Sequence, residues 1–358
     1  VHQTQPEKQT TKTNTIQTTH MKIKTSILTL LAAALSVGSS WGQLPISPTS
    51  GIIRISLTAG QTNAVSVPFA KSIPFEGTIS AVSGTTLTLA GVTLTPGALT
   101  NHAIYIPTHN EPANASATTG AYGRVVTIAS NTATQVVTTT AITPFVGDDF
   151  QIIEQFTLGS LIGQSATSNY QLSAGSNPNN SDVVYVEANG VFTGYWHKAA
   201  NPNQGWRLLS DTTGAGAIQT NVPVPFGKGL LIQRRTGNRT LTVAGEAITG
   251  RFRPFTTLGQ TNVVNFPYTV AVPLIESGIG ASINSGSNTN NSDIIYLETA
   301  GTFNGYWRRA SNGNFYPLSD TTGTGTPVSS SVMINPGKAL LMVERTAANI
   351  IIPQPFSE

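Results

Sequence analysis

A chain of 358 residues with no cysteine and only 10% charged side chains has room for two or three domains. It has no means of building a disulfide framework, a zinc ribbon, a thiol active site or a lipoprotein anchor. The formal charge of +3 arises in residues 1–42, where Lys8, Lys12, Lys22 and Lys24 outnumber Glu7; beyond them basic and acidic residues are equal in number, so no electrostatic footprint for nucleic acid remains.

Residues 1–20 are polar and Thr/Gln-rich and precede a credible start at Met21, so they read as a non-native upstream extension. Residues 21–42 read as a signal peptide. Lys22 and Lys24 form the charged region, residues 25–37 (TSILTLLAAALSV) the apolar region, and Ser40 and Gly42 the small residues before a cut at Gln43. The apolar run is too short to span a membrane, so export is expected, with no membrane insertion after cleavage. The C-terminal residues IIIPQPFSE carry no hydrophobic anchor. The expected location is therefore secreted, periplasmic or held at the cell surface without a covalent link.

After the leader, Gly, Thr, Ser and Asn take the place of the missing charges, which favours strands and turns over helix interiors. Strand-like runs occur at 77–82, 85–89, 103–107, 123–129, 135–140 and 149–154. Further on, 183–187 and 294–298 are β-branched and aromatic runs. Each is followed by a two-residue turn (Asn189-Gly190, Ala300-Gly301) and a return strand (192–196, 303–307), the pattern of a hairpin. Later apolar runs follow Gly227-Lys228 and Gly337-Lys338. No sustained helical period is present.

These hairpins belong to a repeat. Residues 179–199 (NNSDVVYVEANGVFTGYWHKA) and 290–310 (NNSDIIYLETAGTFNGYWRRA) share 12 of 21 positions without a gap. LSDTTGAG at 209–216 answers LSDTTGTG at 318–325. Upstream, Gly60 matches Gly259, 199 positions on, whereas Asp182 matches Asp293, 111 positions on. The difference, 88 residues, is an insertion in the first copy. The expected fold is all-β, with two homologous β-sandwich or barrel-like modules. The first (50–74 plus 161–250) is interrupted by a small inserted β-barrel-like domain (75–160), and the second covers 251–358.

The order Asn-x-Val-x-x-Pro, Ser-Asp-x-x-Tyr with Gly-Tyr-Trp, and Pro-Gly-Lys before a final apolar strand resembles an uncharacterised paralogous family of secreted β-rich proteins of verrucomicrobial bacteria, as does the 75–84 segment FEGTISAVSG. The resemblance covers most of residues 50–350. It implies a Gram-negative-type exported protein and brings no activity with it.

Tyr195, Trp196, Trp206, Tyr306, Trp307 and Tyr316 are the candidate ligand-binding residues, because flat aromatic faces pack against the apolar side of a sugar ring. Against this, strand alternation sends Tyr and Trp to opposite faces, so one ring of each pair belongs in the core. Asn180, Asp182, Asn291 and Asp293 cluster oxygen ligands as calcium requires, but each loop has one carboxylate, and an Asx turn explains the same residues. Gly227-Lys228 lacks the remaining residues of a phosphate loop. Asp211 and Asp320 read as turn residues, and Arg234-Arg235 and Arg308-Arg309 as solvated strand ends. His102, His109 and His197 form no metal triad, and Glu187 and Glu298 supply one acid per copy, short of an acid/base pair. No cofactor is expected. The function expected is a non-enzymatic, exported surface or extracellular protein of structural or adhesion type. Its alternative is a carbohydrate-binding protein, with polysaccharide or envelope and matrix components as partners.

Overall fold

Ser50–Leu57 (β1) alternates exposed and buried positions and sends Ile53, Ile55 and Leu57 inward. A computed structural model describes this strand and, in all, residues 50–107, 121–164, 170–199, 204–248, 250–346 and 350–353. The upstream extension, the leader and His109 lie outside the described residues. The all-β expectation holds.

After Thr62–Val65 (β2) and Phe69–Ala70 (β3) come six strands: Ser72–Ser83 (β4), Thr86–Ala90 (β5), His102–Tyr105 (β6), Val125–Asn131 (β7), Gln135–Thr138 (β8) and Asp149–Glu154 (β9). They close into an antiparallel barrel in the order β4-β5-β8-β7-β6-β9. Its interior is filled by side chains such as Leu87, Ile104, Val136, Phe150 and Ile152. The long strand β4 pairs with both β5 and β9, and its register shifts between Ser72 and Phe75 and between Ile79 and Ala81. Such bulges bend a strand enough to close a small barrel. Gly77 permits a close approach of β4 to β5: a Cβ there would lie 2.3 Å from the carbonyl oxygen of Ala90.

Leu158–Ile162 (α1) is a single short helix, capped by reciprocal bonds between Thr157 and Ser160. The chain then forms Val183–Ala188 (β10), Val191–Lys198 (β11), Gly205–Leu208 (β12), Leu230–Gln233 (β13) and Arg239–Ala247 (β14). Strands β12-β11-β10-β13-β2 make one five-stranded sheet, and β1-β14-β3 make a three-stranded one. Both sheets contribute to one core, with Ile55, Leu57, Leu241 and Val243 facing Val184, Leu230 and Ile232. This part is a sandwich. The strand β14 is absent from the sequence-predicted set, although Leu241 and Val243 alternate with Thr240, Thr242 and Ala244. All eight residues of β1 pair with it.

The remaining strands are Thr261–Val264 (β15), Val272–Pro273 (β16), Ile294–Thr299 (β17), Thr302–Arg308 (β18), Phe315–Pro317 (β19), Met333–Ile334 (β20) and Leu340–Val343 (β21). The sheet β19-β18-β17-β21-β15 has the order of the first five-stranded sheet, and the registers correspond: Tyr185 opposes Gly194 and Leu231, and Tyr296 opposes Gly305 and Leu341. The backing layers differ. Behind the second sheet, β16-β20 and short 3-10 turns share a core with barrel residues Ala103, Tyr105, Val125 and Ile153.

The two five-stranded sheets meet through crossed contacts. Val65 bridges Lys338, and Val264 bridges Lys228. Ser66 N donates to Gly337 O at 2.8 Å and Asn265 N to Gly227 O at 3.0 Å. Ala64, Val263 and Ala339 are buried between them.

Candidate functional site

The repeated motifs meet in space. The hairpin turns Asn189-Gly190 (φ 53° and 78°) and Ala300-Gly301 (φ 49° and 83°) have positive φ at both positions, the turn whose twist matches paired strands. Glu187 Oε1 accepts from Gly190 N at 2.6 Å and Glu298 Oε1 from Gly301 N at 2.5 Å. The other carboxylate oxygen of each takes the lysine of a Gly-Lys turn: Lys228 lies 2.7 Å from Glu187, and Lys338 pairs with Glu298. Gly-Lys is therefore a seam residue pair, with its ammonium turned to a buried glutamate.

The aromatic platform requires correction. Trp196, Trp206 and Trp307 are fully buried, and Tyr195 and Tyr316 are buried as well; Tyr306 is half-buried. Alternation does put Tyr195 on the sandwich side, but the opposite face is covered too. Trp196 Nε1 donates to the carbonyl of Asp211 at 2.9 Å, Trp307 Nε1 to that of Asp320 at 2.8 Å, and Trp206 Nε1 to Gly163 O at 3.0 Å. The Ser-Asp-Thr-Thr-Gly loops are thus lids over the tryptophans. A Cβ on Gly214 would stand 3.2 Å from the Trp196 ring. No face of these indoles is open to a sugar.

Each lid is held by its aspartate. Asp211 accepts from the N–H groups of Gly214 and Gly216, both at 2.9 Å, and Asp320 from Gly323 and Gly325, both at 2.9 Å. Desolvation pushes the Asp211 carboxyl up, but the bonds from Gly216, Gly214 and Thr213 outweigh it and hold it below the usual range. The bond from Gly325, against desolvation and with help from Gly323, does the same for Asp320.

The calcium candidates are corrected as well. Asp182 and Asp293 are fully buried. Asp182 accepts from Ser173 N at 2.7 Å and Arg235 N at 2.8 Å and is ion-paired with Arg234; Asp293 accepts from Asn284 N and Arg345 N, each at 2.7 Å. Asn180 and Asn291 are exposed and close turns of their own, accepting from Asn177 N at 3.2 Å and Asn288 N at 3.1 Å. Among the described residues no group of three His, Cys, Asp or Glu side chains is placed to hold a metal ion. Arg234, expected as a solvated strand end, is buried at 2% exposure because Asp182 draws it in.

At the position of Arg234 the second copy carries Glu344. It too is buried, with Thr256 Oγ1 donating to it at 2.5 Å. Burial pushes its carboxyl up; the Thr256 bond opposes this and the nearby Asp293 charge adds to it. His197 is buried between Tyr170 and Trp206, with ring centroids 4.4 and 5.5 Å away. Its Nε2 bonds Gln164 O at 3.1 Å and its Nδ1 has no partner among the described residues. Burial lowers its pKa.

A concave feature lies elsewhere among the described residues. A cleft of about 300 Å³ opens where the barrel meets the Pro223 loop of the first module, lined by Leu99, Asn101, Thr127, Ser130 and Gln155 among others. Sequence reasoning missed it, because its walls come from four separate segments and none carries a motif. No protein-family model, curated protein or solved structure matches this chain.

Proposed function

We propose that this chain is an exported, non-enzymatic structural protein of the cell surface or extracellular matrix, built on a duplicated β-module with a barrel inserted in the first copy. The observation that carries this reading is the use made of the repeated polar residues. Asp182 and Asp293, Glu187 and Glu298, and Asp211 and Asp320 all bind backbone N–H groups or neighbouring cations within the fold. Selection that retains such residues in both copies acts on rigidity. The leader-like segment at 21–42 and the resemblance to a secreted verrucomicrobial family support export.

Fractionation of the source cells, followed with an antibody against the mature region, tests the reading. The protein is expected in the envelope or matrix fraction with Gln43 as its N-terminus. A cytosolic pool retaining residues 21–42, or turnover of nitrophenyl glycosides or esters by the purified protein, would overturn it.

A further inference from the structure

The cleft at the barrel junction is made by strands parting. Pairing of β6 with β7 ends at Ala103 and Thr127. Beyond Thr127, β7 runs on with only β8 beside it, and its register shifts between Ile128 and Ser130. The loop before β6 forms the facing wall and is fastened by Asn131, whose Nδ2 donates to Thr95 O at 2.8 Å and whose Oδ1 accepts from Leu99 N at 3.2 Å. Pro223 supplies the third wall, held in place by the bond from Val224 N to Phe156 O at 2.8 Å. The walls are thus preformed, and they lie at a junction between domains, where ligand sites concentrate.

The lining is mixed and carries no charged side chain, with the hydroxyls of Thr100, Thr127 and Ser130 and the amides of Asn101 and Gln155 set among apolar Leu99, Ile128, Ala129 and Pro223. Gln155 is the informative member. Its residue is 3% exposed, and its Oε1 accepts from Phe226 N at 2.9 Å, which fixes which way the amide points. Its Nε2 has no acceptor among the described residues. A buried amide donor without a partner is the exception among buried polar groups, and in a residue that lines a cleft an acceptor oxygen, from a water or a ligand, accounts for it.

We propose that this cleft binds one uncharged, hydroxyl-rich group, a neutral sugar residue at a glycan end, with Gln155 Nε2 donating to a ligand oxygen. A lining without charge gives an ionic ligand nothing to offset its desolvation, whereas hydroxyls and amides match a sugar's alternating donors and acceptors. The second copy has no barrel inserted at the equivalent place, so the stoichiometry is one ligand per chain.

Titration of the mature protein with methyl glucoside, methyl galactoside and methyl N-acetylglucosaminide, followed by NMR on the Gln155 side-chain amide, tests this. One or more of the three is expected to shift that resonance with single-site behaviour. Ala129→Trp, at an exposed position on the cleft wall, is expected to abolish the shift without changing the melting temperature. Gln155→Leu is expected to weaken binding by about tenfold, the worth of one hydrogen bond. No shift with any of the three glycosides, an unchanged titration in Ala129→Trp, or tighter binding of methyl glucuronide than of the neutral sugars would each overturn the proposal. Such a result leaves the scaffold reading standing, because cell fractionation tests that separately.

Discussion

Lys228 and Glu187, from a turn and a strand of the same sheet, form an ion pair of 2.7 Å with the carboxylate fully buried, and Lys338 and Glu298 repeat the arrangement in the second sheet. Each pair ties a hairpin turn to the seam, since Lys228 also bridges Val264 and Lys338 bridges Val65 through the backbone.

Removing one partner leaves a charge buried alone, which costs more than the pair itself contributes. Lys228→Met should therefore destabilise the protein by about 3 kcal/mol. The double variant Glu187→Met/Lys228→Met should recover part of that loss. Denaturant unfolding of the four proteins in this cycle measures the coupling. Simple addition of the two single effects would contradict a direct pair.

Ala300 holds φ at 49°, in a region that costs an L-residue about 1 kcal/mol and that asparagine tolerates better. The first copy has Asn189 at this place. Ala300→Asn should stabilise by about 0.5–1 kcal/mol and Asn189→Ala should destabilise by a similar amount. Opposite shifts in melting temperature for the two variants check this.

His197 makes the first module sensitive to mild acid. Burial depresses its folded pKa, so the unfolded chain takes up the proton first. The stability it contributes is complete above the unfolded value of about 6.5 and is lost as pH falls through the folded one. His197→Gln should flatten the pH dependence of unfolding in that window. Asp211 and Asp320, whose folded pKa values are held low, add a second loss at more acidic pH, below the ordinary aspartate range.

Glu344 works in the opposite sense. Its folded pKa is raised, so its effect on stability is favourable when protonated and fades as pH rises through the folded value. Glu344→Gln should therefore stabilise the protein at neutral pH, with the gain vanishing in acid. A Glu344→Gln protein less stable than the parent at neutral pH would contradict a carboxylate disfavoured by burial and, to a lesser degree, by the Asp293 charge.

The local rules of the chain were legible in its residues alone. The β-branched and aromatic run at 183–187 marks β10, and Asn189-Gly190 marks the hairpin turn after it, because strand propensity and turn chemistry act over a few neighbours. The repeat of residues 179–199 at 290–310 needs only the letters. What the tertiary structure decided were relations between distant segments. Trp196 is covered by the loop of Asp211, Arg234 is drawn inward by Asp182, and Lys228 is placed on Glu187. The cleft around Gln155 exists because a barrel and a loop happen to meet. A tryptophan on a strand has the same letters whether its outer face meets water or a lid, so its burial depends on where the rest of the chain packs.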